Sequence, residues 1–292
     1  MDNLINWGNK LKSLIVFLIV LTLSLSAQTD STQSVQYKQI LMKDGEIFEG
    51  YLINQDSLNV VLKRIDSVVI KVPQRLIRII SDTEGIIVDT IFYKKDRNEN
   101  LLYFAQTGKG LEAGEVSFNI SEIFFPFVNI GITDFASISG GFSLFPTFED
   151  QFYYVAPKLS FLNVGKISVS ANGLYMNNYN NNKSGYGLAY ISASATFPAN
   201  SFTLGFGYSY DRDEISKSPF LIFGFEIKTG TSSKFISENW IISGDFPNLF
   251  SVGFRTFRSS LSWDFGFVIP VNEGRAAFIP WVGVGYNFNF VK

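Results

Sequence analysis

The 292 residues include no cysteine and no histidine. The first absence excludes disulfides, thiolate nucleophiles and cysteine-based metal sites. The second removes the commonest general base and the commonest metal ligand. Neither sign of charge dominates: the net charge is −2 at pH 7, so composition gives no reason to expect nucleic acid as a partner. Proline is scarce, at 9 residues. Past residue 25, no run reaches the roughly 18 apolar residues of a membrane helix. What is abundant is aromatic and small: 30 Phe, 13 Tyr and 24 Gly, with 46% of residues hydrophobic. That profile suits a membrane β-barrel, with a secreted β-sandwich as the alternative.

Residues 1–27 read as a secretory signal peptide. Lys10 and Lys12 supply its positive charge, residues 14–25 its apolar stretch, and Ser26-Ala27 the small residues before a cut at Gln28. A retained anchor is the other reading of this segment. No cysteine follows it, so lipid attachment there is excluded. Residues 28–36 form a polar linker.

Residues 37–80 are more charged and carry less glycine. Five short strand candidates, at 37–45, 46–53, 58–63, 67–72 and 76–80, suggest a small, strongly bent β domain. Asp44-Gly45 is the hairpin signal between the first two. The pattern Leu41-x-x-Asp44-Gly45-x-x-x-x-Gly50-x-Leu52, followed by Asp56, Asn59 and Leu62, resembles the first motif of Sm-like domains. The second motif of that family is replaced here by Ile70-Lys71-Val72-Pro73, so the resemblance implies the shape and not RNA binding. Residues 28–100 carry 10 basic and 11 acidic side chains, which is no basic stripe for phosphate. Residues 81–112 read as a linker, because 94–100 is a polar run; residues 101–104 would then rest on the membrane surface or the barrel rim.

From 113 to 292 the chain alternates with period 2. Val282, Val284, Tyr286, Phe288 and Phe290 share one face, with Gly and Asn on the other. Phe265 and Phe267, and Phe202 through Tyr210, repeat the pattern. Large aromatics on one face and small polar residues on the other is apolar-out, polar-in patterning. Short links at 133–135, 164–165, 198–200, 229–233 and 258–259 alternate with longer ones at 146–151, 177–185, 211–218, 244–248 and 271–276. With one hairpin near Ser121-Glu122, this gives a transmembrane antiparallel β-barrel of about 12 strands with both ends in the periplasm. Alternation is poor in 114–133 and 233–243, which leaves 10 or 14 strands open.

Residues 101–290 resemble outer-membrane β-barrel proteins of the Bacteroidota type. The likeness rests on Asn129-Ile-Gly-Ile-Thr-Asp134, Tyr154-Val-Ala-Pro-Lys158, Ser237-Glu-Asn-Trp240 and the closing aromatic strand. It implies that Phe290 is the terminal aromatic read by the barrel-assembly machinery, although Val291-Lys292 follow it. It brings no catalytic residue.

Face parity points Lys158, Glu226, Lys228, Glu238, Arg255 and Asp264 into the barrel. With three of each sign, they are expected to form a salt-bridge network filling a narrow lumen in preference to a selectivity constriction. The carboxylates Asp211, Asp213 and Glu214 offer acid–base or Ca²⁺ chemistry, but a loop that also holds Arg212 and Lys217 reads first as a solvated one. No catalytic residue, metal site or cofactor is expected. The functional expectation is an outer-membrane barrel, structural or assembly-linked, whose periplasmic domain docks a protein partner. Behind it stand a porin-like channel for small solutes and, last, a membrane-embedded hydrolase. Expected partners are outer-membrane lipid, the assembly machinery and a periplasmic protein, without nucleic acid.

Overall fold

The computed structural model describes residues 37–290 except 89–90, 146–150, 180–184, 212–213, 217, 243–246, 259 and 273–274. The expected signal peptide (1–27) and polar linker (28–36) lie outside the described residues.

Five strands form the N-terminal sheet: β1 (Tyr37–Met42), β2 (Ile47–Gln55), β3 (Asn59–Lys63), β4 (Val69–Pro73) and β5 (Ile77–Thr83). Their order is β4-β3-β2-β1-β5. Gly45 turns the first hairpin at φ 95, a conformation that costs glycine little because it has no Cβ. Ile40, Met42, Val60, Leu62 and Val72 close a small core. A further hairpin, β6 (Gly85–Val88) and β7 (Ile91–Lys94), follows. Phe92 of β7 stacks on Tyr37, with ring centroids 4.0 Å apart. Burial, with help from Glu49, pushes the Tyr37 hydroxyl up to about 12.

The barrel contains twelve long strands. They are β8 (Glu115–Ser121), β9 (Phe125–Thr133), β10 (Ala136–Phe142), β11 (Phe152–Val164), β12 (Ile167–Asn178), β13 (Tyr186–Thr196) and β14 (Asn200–Asp211), then β16 (Phe220–Gly230), β17 (Ser233–Ile242), β18 (Asn248–Arg258), β19 (Leu261–Asn272) and β21 (Ile279–Asn289). Two short strands, β15 (Glu214–Ile215) and β20 (Arg275–Ala276), extend β14 and β19. Each long strand pairs antiparallel with its neighbour, and β8 against β21 completes the ring. Closure satisfies every ladder without leaving an edge, as a membrane interior requires.

The outer face carries Phe202, Phe206, Phe223, Phe254, Phe265 and Phe267, each 39–49% exposed. So broad an apolar surface is rare on a soluble monomer; on a closed barrel it is the face presented to lipid, and the barrel is transmembrane. Phe265→Arg is expected to cost roughly 2–4 kcal/mol near the bilayer midplane, whereas Phe265→Leu should cost far less. Urea unfolding of both variants in lipid vesicles checks this, and equal losses would contradict a lipid-facing Phe265.

Three sequence expectations need correction. Residues 81–112 are not a solvated linker: after β7 the chain enters the barrel, and Lys94, Asp96, Asn98 and Asn100 are buried. Residues 101–104 are not at the rim or on the membrane surface, since Leu101, Leu102 and Tyr103 are buried inside the barrel. The interior is not polar throughout. Its half nearer the termini carries Ser, Thr, Asn and charge, but its other half carries Phe220, Ile222, Trp240 and Tyr190. That is why alternation fades: in β9 both faces of the loop-side end are apolar, and in β17 Trp240 and Ile242 face inward while Ser237 and Asn239 share the outer face.

Candidate functional site: the lumen and its luminal hairpin

Residues 95–112 run into the lumen from the end where the short turns lie, reverse at 101–106, and return to β8. An isolated bridge joins Leu101 and Gln106. Backbone bonds Leu102 N–H to Ala105 O (3.0 Å) and Thr107 N–H to Asn100 O (3.0 Å) hold the reversal. At two places the approach to the wall leaves no space for a side chain. A Cβ on Gly108 would overlap the Ser168 carbonyl, and one on Gly224 would overlap Leu102.

Charged and hydroxyl groups of the wall seat this hairpin by its backbone. Glu238 Oε2 accepts the N–H groups of Tyr103 (2.8 Å), Phe104 (3.0 Å) and Ala105 (3.1 Å), while its Oε1 accepts the Trp240 indole N–H (2.7 Å). Arg255 binds Asp264 with both Nε (2.6 Å) and Nη2 (2.9 Å). Its remaining N–H groups reach the carbonyls of Asn98 (3.0 Å), Leu101 (3.1 Å) and Leu102 (2.5 Å) and the Asp96 carboxylate (3.2 Å). Lys158 donates to the carbonyls of Thr107 (2.8 Å), Asn100 (3.4 Å) and Lys109. Ser194, Tyr190 and Ser170 bind Gly108 N–H, Gln106 N–H and Thr107 O. Buried backbone groups need such partners, and here the wall supplies them side chain by side chain.

All six residues singled out in the sequence face inward; Glu226, Arg255 and Asp264 join one ion-pair chain through Lys234 and Asp96, and the other three stand outside it. Arg255 and Asp264, directly opposite in register, pair. Glu238 and Lys158 bind backbone. Glu226 pairs with Lys234. Lys228 stands over the Tyr93 ring, 5.2 Å from its centroid. Two members were missed. Lys234 has the inward parity of Glu238, a signal lost where β17 alternates poorly. Asp96, 2.5 Å from Lys234, sits in the run misread as linker. Glu214, from the carboxylate loop, is exposed, and Asp213 lies outside the described residues; no metal-binding cluster occurs among the described residues.

At the mouth beside the short turns, Lys95 lies 3.5 Å from Glu84 and 3.8 Å from Glu112. Burial alone would lower its pKa, but Glu99 and Glu84 outweigh burial and hold it above the ordinary value, so it is charged. Cavities of about 370 and 350 Å³ flank the hairpin at this mouth. On the other side of the hairpin tip lies a cavity of about 420 Å³, floored by Tyr103 and Phe104 and walled by Leu188, Trp240, Val268 and Trp281. The hairpin therefore separates two hollow regions of one lumen.

No protein-family model matches the chain, and no curated protein matches it. Among solved structures, it is similar to the KdgM porin in complex with disordered oligogalacturonate, with TM-score 0.45 and 11% identity over 60% of this chain and 98% of that one. The outer membrane protein Omp33 of Acinetobacter baumannii gives TM-score 0.35 and 9% identity over 60% and 96%. A Rhodopseudomonas blastica porin triple mutant gives 0.32 and 8% over 88% and 99%.

Proposed function

We propose that this barrel is an outer-membrane channel for small solutes, closed by its own luminal hairpin, with the β1–β5 sheet in the periplasm. The observation that carries the proposal is the division of the lumen: hollow space lies on both sides of a hairpin that is held only by side chains of the wall. A barrel serving only as scaffold has no use for space on both sides of a seated segment. The role first expected from the sequence, structural or assembly-linked, has no observation behind it. In this reading the five-stranded sheet, with its Sm-like motif, is the element that a periplasmic protein partner would engage to draw on β7 and the hairpin. Phe290, exposed beside Phe288, keeps its proposed part as the terminal aromatic read during assembly.

Planar-bilayer recording tests the channel. The wild type should be nearly silent. Glu238→Ala removes the acceptor for three backbone N–H groups, each bond to a charged group being worth about 1.5–3 kcal/mol, and should produce frequent openings. A Leu102→Cys reporter, buried at the hairpin tip, should become reactive to a soluble maleimide in the same variant. Steady wild-type conductance contradicts the closed state. Silence in Glu238→Ala despite a reactive reporter rejects the channel.

A further inference from the structure

The 420 Å³ cavity beyond the hairpin tip is out of keeping with a path for hydrophilic solutes. A polar lumen conducts hydrophilic solutes, yet this half is almost wholly apolar. Leu174, Leu188, Trp240, Val268 and Trp281 face into it from the wall, over a floor of Tyr103 and Phe104. Among the described residues, no lysine or arginine lines it. Of the two carboxylates there, Glu238 has both oxygens engaged within the protein, and exposed Asp211 sits at the rim, at the end of β14. The Tyr103 hydroxyl and the Trp281 indole N–H, although on lining residues, are closed off from the cavity, the hydroxyl being packed against Gly253. Their rings lie 5.8 Å apart. The volume falls within the roughly 300–1,000 Å³ of small-molecule sites.

We infer that this cavity is a binding site for a neutral, largely apolar small molecule. Among the described residues an anion finds no cation there, and a cation must leave water for a wall where Glu238, below the rim, is already engaged. Stacking and dispersion against Trp240, Trp281 and Phe104 supply the affinity. Because Tyr103 and Phe104 belong to the hairpin tip, the ligand touches the element that closes the lumen, so occupancy and seating are coupled. The inference names the solute class for the proposed channel and rests on that reading for its purpose, but not for its test.

The test is equilibrium dialysis of the full chain in lipid nanodiscs against decanol, with decanoate and decylammonium as charged congeners and empty nanodiscs as the partition blank. Saturable, one-to-one decanol binding above the blank is expected. Both ions should bind at least about tenfold more weakly. Val268→Phe with Leu249→Phe, which fills the cavity from two strands, should abolish saturable binding, and Phe161→Ala on the outer face should not change it. Absence of saturable binding, decanoate binding as well as decanol, or undiminished binding in the filled variant overturns the inference. The congener series uses the wild type alone, so it decides even if the filled variant does not fold. Binding without conduction would remove the channel and leave the site; conduction without binding would do the reverse.

Discussion

Arg255→Ala is expected to destabilise the barrel by about 3–5 kcal/mol, the range for breaking a buried ion pair by removing one partner. Arg255 is 2% exposed and lies at the centre of the seat. Its removal strands the Asp264 carboxylate on β19 and takes one of two cationic partners from Asp96. It also leaves the carbonyls of Asn98, Leu101 and Leu102 without this donor. Arg255→Ala with Asp264→Ala should be less damaging than Arg255→Ala alone, by a coupling of about 0.5–3 kcal/mol, because the stranded carboxylate leaves with its partner. Recovery should stop short of wild type, since Asp96 keeps only Lys234 as a cationic partner and the Leu101 and Leu102 carbonyls lose the Arg255 donor. Arg255→Lys should not rescue: one ammonium cannot reproduce a planar fork that grips Asp264 with two N–H groups while reaching the hairpin with the others. Urea unfolding in vesicles, followed by the change of gel mobility on boiling, measures each variant. A loss below about 1 kcal/mol for Arg255→Ala would show that the hairpin is not held by this residue.

The barrel was readable because a period of 2 is a local property of the chain. Phe265, Phe267 and Ile269 point to lipid whatever the rest of the molecule does, and the alternation of short and long links follows from it. Register was not readable: strand adjacency suggested that Arg255 and Asp264 could meet, but only the structure places them opposite each other. The luminal hairpin was hidden for a physical reason. Lys94-Lys-Asp-Arg-Asn-Glu-Asn100 is polar, and polarity in a chain normally marks contact with water. Inside this lumen the wall plays the part of water: Asp96 pairs with Lys234 and Arg255, and the Asn98 side-chain N–H donates to Ser262. No local pattern distinguishes the two environments. Leu101-Leu-Tyr-Phe104 gave the one contrary signal, an apolar group within the polar run, and it forms the floor of the apolar half. The loss of alternation in β17 had the same origin: Trp240 and Ile242 point inward to that half, where a uniformly polar lumen would have placed small residues.

Lys234→Met should cost about 3–5 kcal/mol, and the way the loss is shared among its partners separates a wall strut from a latch. The ammonium lies between Asp96 of the hairpin, at 2.5 Å, and Glu226 of neighbouring β16. Without it, two buried carboxylates face each other with only Arg255 to offset Asp96. Glu226→Gln added to Lys234→Met removes one of the like charges and should recover about 0.5–3 kcal/mol. The two acids, however, belong to different elements. Asp96 lies on the segment that must leave its seat for the lumen to open, whereas Glu226 is fixed in the wall. Asp96→Asn should therefore release the hairpin, read as maleimide reactivity of Leu102→Cys and as openings in the bilayer, at a smaller cost to unfolding than Lys234→Met. Glu226→Gln should leave the hairpin seated and the reporter silent, because Lys234 and Arg255 both still hold Asp96. If Glu226→Gln exposes Leu102→Cys as fully as Asp96→Asn does, Lys234 acts only by bracing β16 against β17, and the ion pair to Asp96 is no latch.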